Sequence, residues 1–370
     1  MDGKTLAHTP YPPPIKRNVD IDLLKIFAIF GVIIIHVSSS KWYTTPVDTF
    51  NWQVINFYHT AIRWPIPIFV MISGMFFLRS VNEDIPFKSE MKKITGKVMR
   101  LVFALIFWGI AYNTAALAGR YLTGKPITLY DIIPFQKIVL GPAWFHLWFL
   151  YMLIGLYLLT PIFRRFIKNS SREYIEYFLI LFFLAGGCLP LINKILAHIP
   201  FFRGRAVYLP LPEVSGYMGY FIAGYYFAYY DIKKKTQTLI YTAAILSLTA
   251  TLLGTALISL YKKEANQYLT ESLLPNTILI SFAVFILFKY KISKIKFSPR
   301  HERLITGMEK NMFGVYLIHA MVIEAFDLAG VHPLLINPVV SVPVMSIIVM
   351  LVSYTGILII RKIPAAGYII

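Results

Sequence analysis

Apolar residues run in blocks of about twenty along nearly the whole chain, separated by short polar connections. Ten blocks are long enough to cross a bilayer as helices: about 20–38, 54–78, 98–119, 144–163, 174–192, 213–230, 237–260, 272–289, 311–330 and 341–360. The fifth and sixth are the least regular, because Pro190, Pro200, Pro210 and Pro212 fall in or beside them. The pattern predicts an all-α, polytopic membrane bundle of about ten transmembrane helices. It forms one domain, 17–370, behind a polar, proline-rich tail, 1–16. The tail has no signal-peptide pattern, so the first span is expected to direct insertion and to remain in place.

Composition agrees: 57% of the 370 residues are hydrophobic and 15% charged, where a soluble domain carries about 25% charge. The net charge of +18 invites a nucleic-acid reading, but its distribution excludes one. Of the 36 lysines and arginines, roughly 25 fall in alternate connections, around Lys16, Arg79–Arg100, Arg164–Arg172, Lys233–Lys235, Lys289–Lys310 and Arg361. Roughly 9 fall on the opposite side, and Lys25 and Arg63 lie within spans. The cation-rich side is expected to be cytoplasmic, with both termini there. The single cysteine, Cys188, excludes an intrachain disulfide. The absence of a Walker sequence, a GxGxxG turn and a Cys/His zinc set argues against ATP-driven transport and metal hydrolysis; no metal is expected.

Charge inside the spans carries the candidate chemistry. Lys25 and His36 stand eleven residues apart in the first span, almost three helical turns, so they share a face about 16 Å apart along the axis. Asp22 joins that face. An imidazole near the outer leaflet suits proton transfer from a hydroxyl at neutral pH. Arg63 lies about a third of the way into the second span, beside Pro65 and Pro67, which break its backbone pattern. A permanent charge at that depth points to function. His146, among Trp144, Trp148 and Tyr151, lies level with His36, and Glu213 and Glu324 complete a candidate polar ring. His319 is expected nearer mid-membrane. On the cation-rich side Lys93, Lys97 and Arg100 recur at helical spacing, a candidate phosphate clamp. Each also has a plain alternative. Lys25 snorkels, His36 bonds a neighbouring helix, the aromatic residues form an interfacial belt, and the cations mark topology. Ser73 and Gly74 read as a close-packing site.

Several strings resemble acyltransferase family 3, the multi-pass membrane O-acyltransferases of bacterial glycans. Lys25 and His36 match its basic residue, ten residues, histidine pattern, and Pro67–Gly74 is similar to its phenylalanine-rich Ser-Gly segment. His146–Tyr151 and Gly314–His319 resemble two further recurrent strings. Ser39–Tyr43 and Pro65–Gly74 resemble the branch that O-acetylates the N-acetylglucosamine of enterobacterial common antigen. Two departures stand out: Lys25 replaces a frequent arginine, and Gly96-Lys97-Val-Met-Arg100 lacks the usual arginine pair and following proline.

The resemblance implies an O-acetyltransferase of the bacterial cytoplasmic membrane with no permanently bound cofactor. Acetyl-CoA is the implied co-substrate, its phosphates near Lys93, Lys97, Arg100 and Arg164 and its pantetheine arm passing Lys25. His36 is the implied base or transient acyl carrier. Arg63, His146, Glu213, Glu324 and His319 are the candidates for binding a glycan or lipid-linked sugar, or for holding the oxyanion. Two rivals remain open, a transporter of glycan or lipid-linked intermediates and an acyltransferase with a succinyl-type donor. Paired broken helices in two related halves would favour the first. Pocket size beside His36 would decide the second.

Overall fold

The computed structural model describes residues 19–79, 86–128, 138–139, 141–196, 216–364 and 366–370. Among them the regular structure is helical, with no strand. The first helix, α1 (Val19–Trp42), is followed by α2 (Phe50–Ala61) and α3 (Pro65–Phe77), then α4 (Phe87–Leu122) and α5 (Trp148–Asn169). The fifth span is α6 (Arg172–Leu181), a π-helical segment (Phe182–Cys188) and α7 (Leu189–Leu196). The series ends with α8 (Met218–Tyr229), α9 (Lys234–Lys262), α10 (Pro275–Tyr290), α11 (Pro299–Glu309), α12 (Met312–Leu328) and α13 (Pro338–Ile360).

Eight described spans are long and apolar enough to cross a membrane, and α11 with α12 makes a ninth, bent by 57°. The sixth expected span is represented by α8, a 12-residue apolar helix; residues 197–215 before it, with Glu213, lie outside the described residues. The break at Ile62–Trp64 falls where the prolines predict it: Trp64 is the N-cap of α3 and Pro65 its first residue, where a missing N–H is harmless. The connection 289–310, expected to be a basic loop, instead contains α11, started by the Ser298 hydroxyl accepting from the His301 N–H. Exposed Leu246, Leu253 and Leu257 on α9 and Ile347 and Leu351 on α13 form the lipid-facing exterior that the composition requires.

Helix α1 is central and packs against α2, α3, α11, α12 and α13. Its two ends differ. At the cation-rich end Lys25 Nζ meets Glu309 Oε1 at 2.6 Å, and Thr306 Oγ1 donates to Asp22 at 3.3 Å. At the other end Lys41 pairs with Asp327 at 2.7 Å, and Trp42, Val47, Trp52 and Ile55 form a small core with Ala265 and Leu334. That core gathers three connections at one face.

Helices α3 and α8 make the closest approach. A Cβ on Gly74 would stand 1.7 Å from the Phe221 carbonyl oxygen, and one on Gly224 would stand 1.8 Å from that of Met71. Each glycine thus admits the partner's backbone, the packing that small residues allow in a bilayer. This holds Ser73 and the end of α3 against the rest of the bundle.

Candidate active site

Three imidazoles from three elements meet beside α1. His36, on the continuous α1 helix, stacks on His319 of α12 with ring centroids 5.2 Å apart and planes 30° apart. His319 meets His146 edge-on at 5.1 Å. His146 lies in the irregular segment 141–147 before α5, which starts only at Trp148, later than the expected 144. The turn exposes the His146 carbonyl to the Tyr316 hydroxyl, which donates to it at 2.5 Å. His319 is in direct ring contact with His36 and lies on α12, which is bent by 57° from α11.

Hydrogen bonding fixes one tautomer. His319 Nδ1 lies 2.6 Å from the Tyr316 carbonyl, which only accepts, so Nδ1 carries the proton and Nε2 presents a lone pair. That Nε2 is buried without a partner, and so are both ring nitrogens of His146. Unpartnered buried nitrogens are uncommon and point to groups that a ligand satisfies. His36 is partly exposed, and its remaining ring contact is Phe145, edge-on at 4.9 Å. Tyr112 closes the far wall. It sits 5.1 Å from His146 and 5.2 Å from Trp144, with its hydroxyl donating to the Leu317 carbonyl at 2.8 Å.

Arg63 reaches the same place from the α2–α3 break. Its Nη2 lies 2.7 Å from His59 Nδ1, His59 stacks on Trp42 at 4.2 Å, and Arg63 bears electrostatically on His36. Arg63 Nε is buried without a hydrogen-bond partner. His59 was missed by sequence reasoning, although its spacing of four from Arg63 on an apolar helix was available as a signal. On its other side Arg63 lines a cavity of about 350 Å³, with Tyr217, Gln267 and the run Thr270–Leu273. Glu324 lies on α12 five residues past His319, about 140° round the helix, and its charge bears on the Tyr112 hydroxyl. Of the expected ring, the structure brings His36, His146 and His319 into ring contact, with Arg63 within electrostatic reach of His36 and Glu324 within reach of Tyr112.

The cation-rich face is organised differently from a free clamp. Arg164 is tied down, donating from Nε to the Phe77 carbonyl at 2.6 Å and pairing through Nη1 with Glu90 at 2.8 Å. Lys97 Nζ lies 3.9 Å from the centre of the Phe77 ring, within Coulombic reach of Arg164. Arg100 donates to the Ile370 carbonyl at 2.7 Å, and Lys93 is exposed one turn before Lys97. Lys25 is held by Glu309, which sequence spacing does not reveal, with Phe76 5.3 Å beneath its ammonium. Among the described residues no cluster of His, Cys, Asp or Glu has the make-up of a metal site.

A bundle of membrane helices gathered round buried imidazoles and one guanidinium is a membrane protein equipped for proton transfer and charge stabilisation. The family model described as the acyltransferase domain of acyltransferase family 3 matches residues 18–360, and the chain belongs to that family. It is a multi-pass membrane acyltransferase. No curated protein and no solved structure matches it.

Proposed function

We propose that the protein transfers an acetyl group from cytoplasmic acetyl-CoA to a hydroxyl of a cell-surface glycan or lipid-linked sugar near the outer face. The observation that carries this reading is the contact of His36 with His319, which in turn meets His146, at the far end of the helix face that begins at Lys25. A base held away from the donor's charged end requires a long, thin donor, and the pantetheine arm of CoA is one. The implied branch, acting on N-acetylglucosamine of enterobacterial common antigen, is the narrowest form of the proposal.

In the reaction His36 takes the proton of the acceptor hydroxyl, and the oxygen attacks the thioester carbonyl. Arg63 donates to the developing oxyanion. The carbon–sulfur bond breaks, and the CoA thiolate recovers the proton from His36. If His36 instead carries the acetyl group, the same groups serve two successive transfers. His319, with Nδ1–H fixed on a carbonyl, holds the orientation of the His36 ring. Lys93, Lys97 and Arg100 meet the CoA phosphates at the cation-rich face, and Arg164 sets Phe77 beneath Lys97.

Replacing Lys97 and Arg100 together by alanine is expected to weaken acetyl-CoA binding about tenfold or more at low salt. The deficit should shrink as salt rises. Equal donor affinity in the double variant would remove these two residues from the donor site.

Sidedness tests the proposal as a whole. Single cysteines at positions 235 and 361, in a background lacking Cys188, should react with an impermeant thiol reagent only in inside-out vesicles, and those at 125 and 263 only in intact cells. Acetyl-CoA added outside sealed vesicles should be consumed only by the inside-out preparation. Consumption by the right-side-out preparation, or labelling of position 235 from outside, would reverse the direction of transfer.

A further inference from the structure

The cavity beside Arg63 has features that the reaction alone does not explain. Its wall is the connection between α9 and α10, and that connection is pinned from several directions. Lys194 Nζ pairs with Glu271 at 2.5 Å, Asn276 Nδ2 donates to the Leu269 carbonyl at 2.8 Å, and the Tyr220 hydroxyl donates to the Ser272 carbonyl. The Thr270 hydroxyl closes a turn onto the Gln267 carbonyl at 3.0 Å. A polar connection fixed in this way is a preformed recognition surface rather than a spacer.

The lining has a definite chemistry. Tyr217 presents a ring backed by Trp148 at 5.7 Å and Tyr220 at 6.1 Å, a platform for the C–H face of a sugar. Gln267, Thr270 and Ser272 bring amide and hydroxyl groups. Among the described lining residues Arg63 supplies one positive charge and Glu271 one negative charge, the latter already paired with Lys194. Lys194 takes up the charge of Glu271, and in the proposed reaction the developing oxyanion takes up that of Arg63, so neither is left for an ionised ligand. At about 350 Å³ the cavity is near the lower end of ligand-pocket sizes, about 300–1,000 Å³, which is room for one sugar ring. Arg63 joins it to the imidazole cluster.

We infer that this cavity is the acceptor subsite, that it takes a single neutral pyranose unit, and that the connection Gln267–Leu273 selects the sugar. The inference rests on the acyl-transfer reading, and binding measured without turnover separates the two.

The probes are methyl β-D-glucopyranoside, its 2-acetamido analogue and D-glucuronate, titrated by saturation-transfer NMR against the full chain in lipid nanodiscs. At least one neutral glycoside should bind the wild type more tightly than glucuronate does. Gln267→Ala and Tyr217→Ala should each weaken that binding about fivefold, the size of one lost hydrogen bond or stacking contact. Acetyl-CoA binding should be unchanged in both, and His36→Gln should retain the sugar. Gln267 is exposed, so its variant decides the matter even if Tyr217→Ala fails to fold. Unchanged sugar binding in Gln267→Ala, tighter binding of glucuronate, or no binding of any probe to the wild type would overturn the subsite. Sugar binding that follows the expected pattern without any acetyl transfer would leave the subsite standing and remove the acyl-transfer reading.

Discussion

His36→Gln is expected to lower acyl transfer by about 10²–10⁴-fold while leaving donor binding and folding near normal. Glutamine fills much of the imidazole's volume and retains hydrogen-bonding capacity, but it does not accept a proton at neutral pH. His36 makes its described side-chain contacts through its ring, edge-on with Phe145 and stacked on His319, so few native bonds are lost. The stability cost is about 1–3 kcal/mol, which a bundle of this size withstands. His319→Gln is the informative companion. It keeps a donor for the Tyr316 carbonyl but loses the flat partner on which His36 rests, so a partial loss of rate is expected. Rates measured at matched protein levels, with acetyl-CoA binding measured separately, check both. A His36→Gln protein with most of the wild-type rate would make that histidine structural.

The second large effect concerns folding. Gly74→Ala or Gly224→Ala should destabilise the protein by about 3 kcal/mol or more, because the added methyl meets a backbone carbonyl rather than a movable side chain. Helices α3 and α8 must then separate along a buried seam lined by Val70, Met71, Phe221 and Ala223. Gly155→Ala on α5 is the control. Nothing lies within 4 Å of its added Cβ, and alanine favours the helix by about 1 kcal/mol. Thermal unfolding in detergent should show a large drop for the first two variants and none for the third. Equal melting of all three would mean that the α3–α8 contact is looser than described.

Most of the bundle was legible from the chain because a bilayer imposes a simple rule, a block of about twenty apolar residues for each crossing. The rule says nothing about what happens inside a block. The π-helical segment Phe182–Cys188 has the same apolar character as its flanks, and only the pair Gly186-Gly187 hints at it. Helix α11 was hidden because its polar, basic residues read as an ordinary cytoplasmic connection.

The site divides along the same line. Lys25 and His36 share one helix, so their spacing alone sets them on one face. Glu309, which holds Lys25, is 284 residues away, and no periodicity links the two. His146, His319 and Arg63 stood out as polar groups in apolar blocks, but the contact of His146 with His319 joins the turn at 141–147 to α12, which no spacing in the sequence foretells, and the contact of Arg63 with His59 joins the break before α3 to α2. Gln267, Thr270 and Ser272 carry no sequence signal at all, since polar residues in a connection are what any membrane protein has. Only the fold brings them to Arg63.

The most direct measurement supplies isotopically labelled acetyl-CoA to inside-out vesicles and follows the label by mass spectrometry through the glycan and lipid-carrier fractions. The account predicts a labelled acetyl ester on a sugar hydroxyl, removed by mild alkali, dependent on the protein and absent with His36→Gln. Label that never leaves CoA for a sugar, or that enters only alkali-stable linkages, would contradict it.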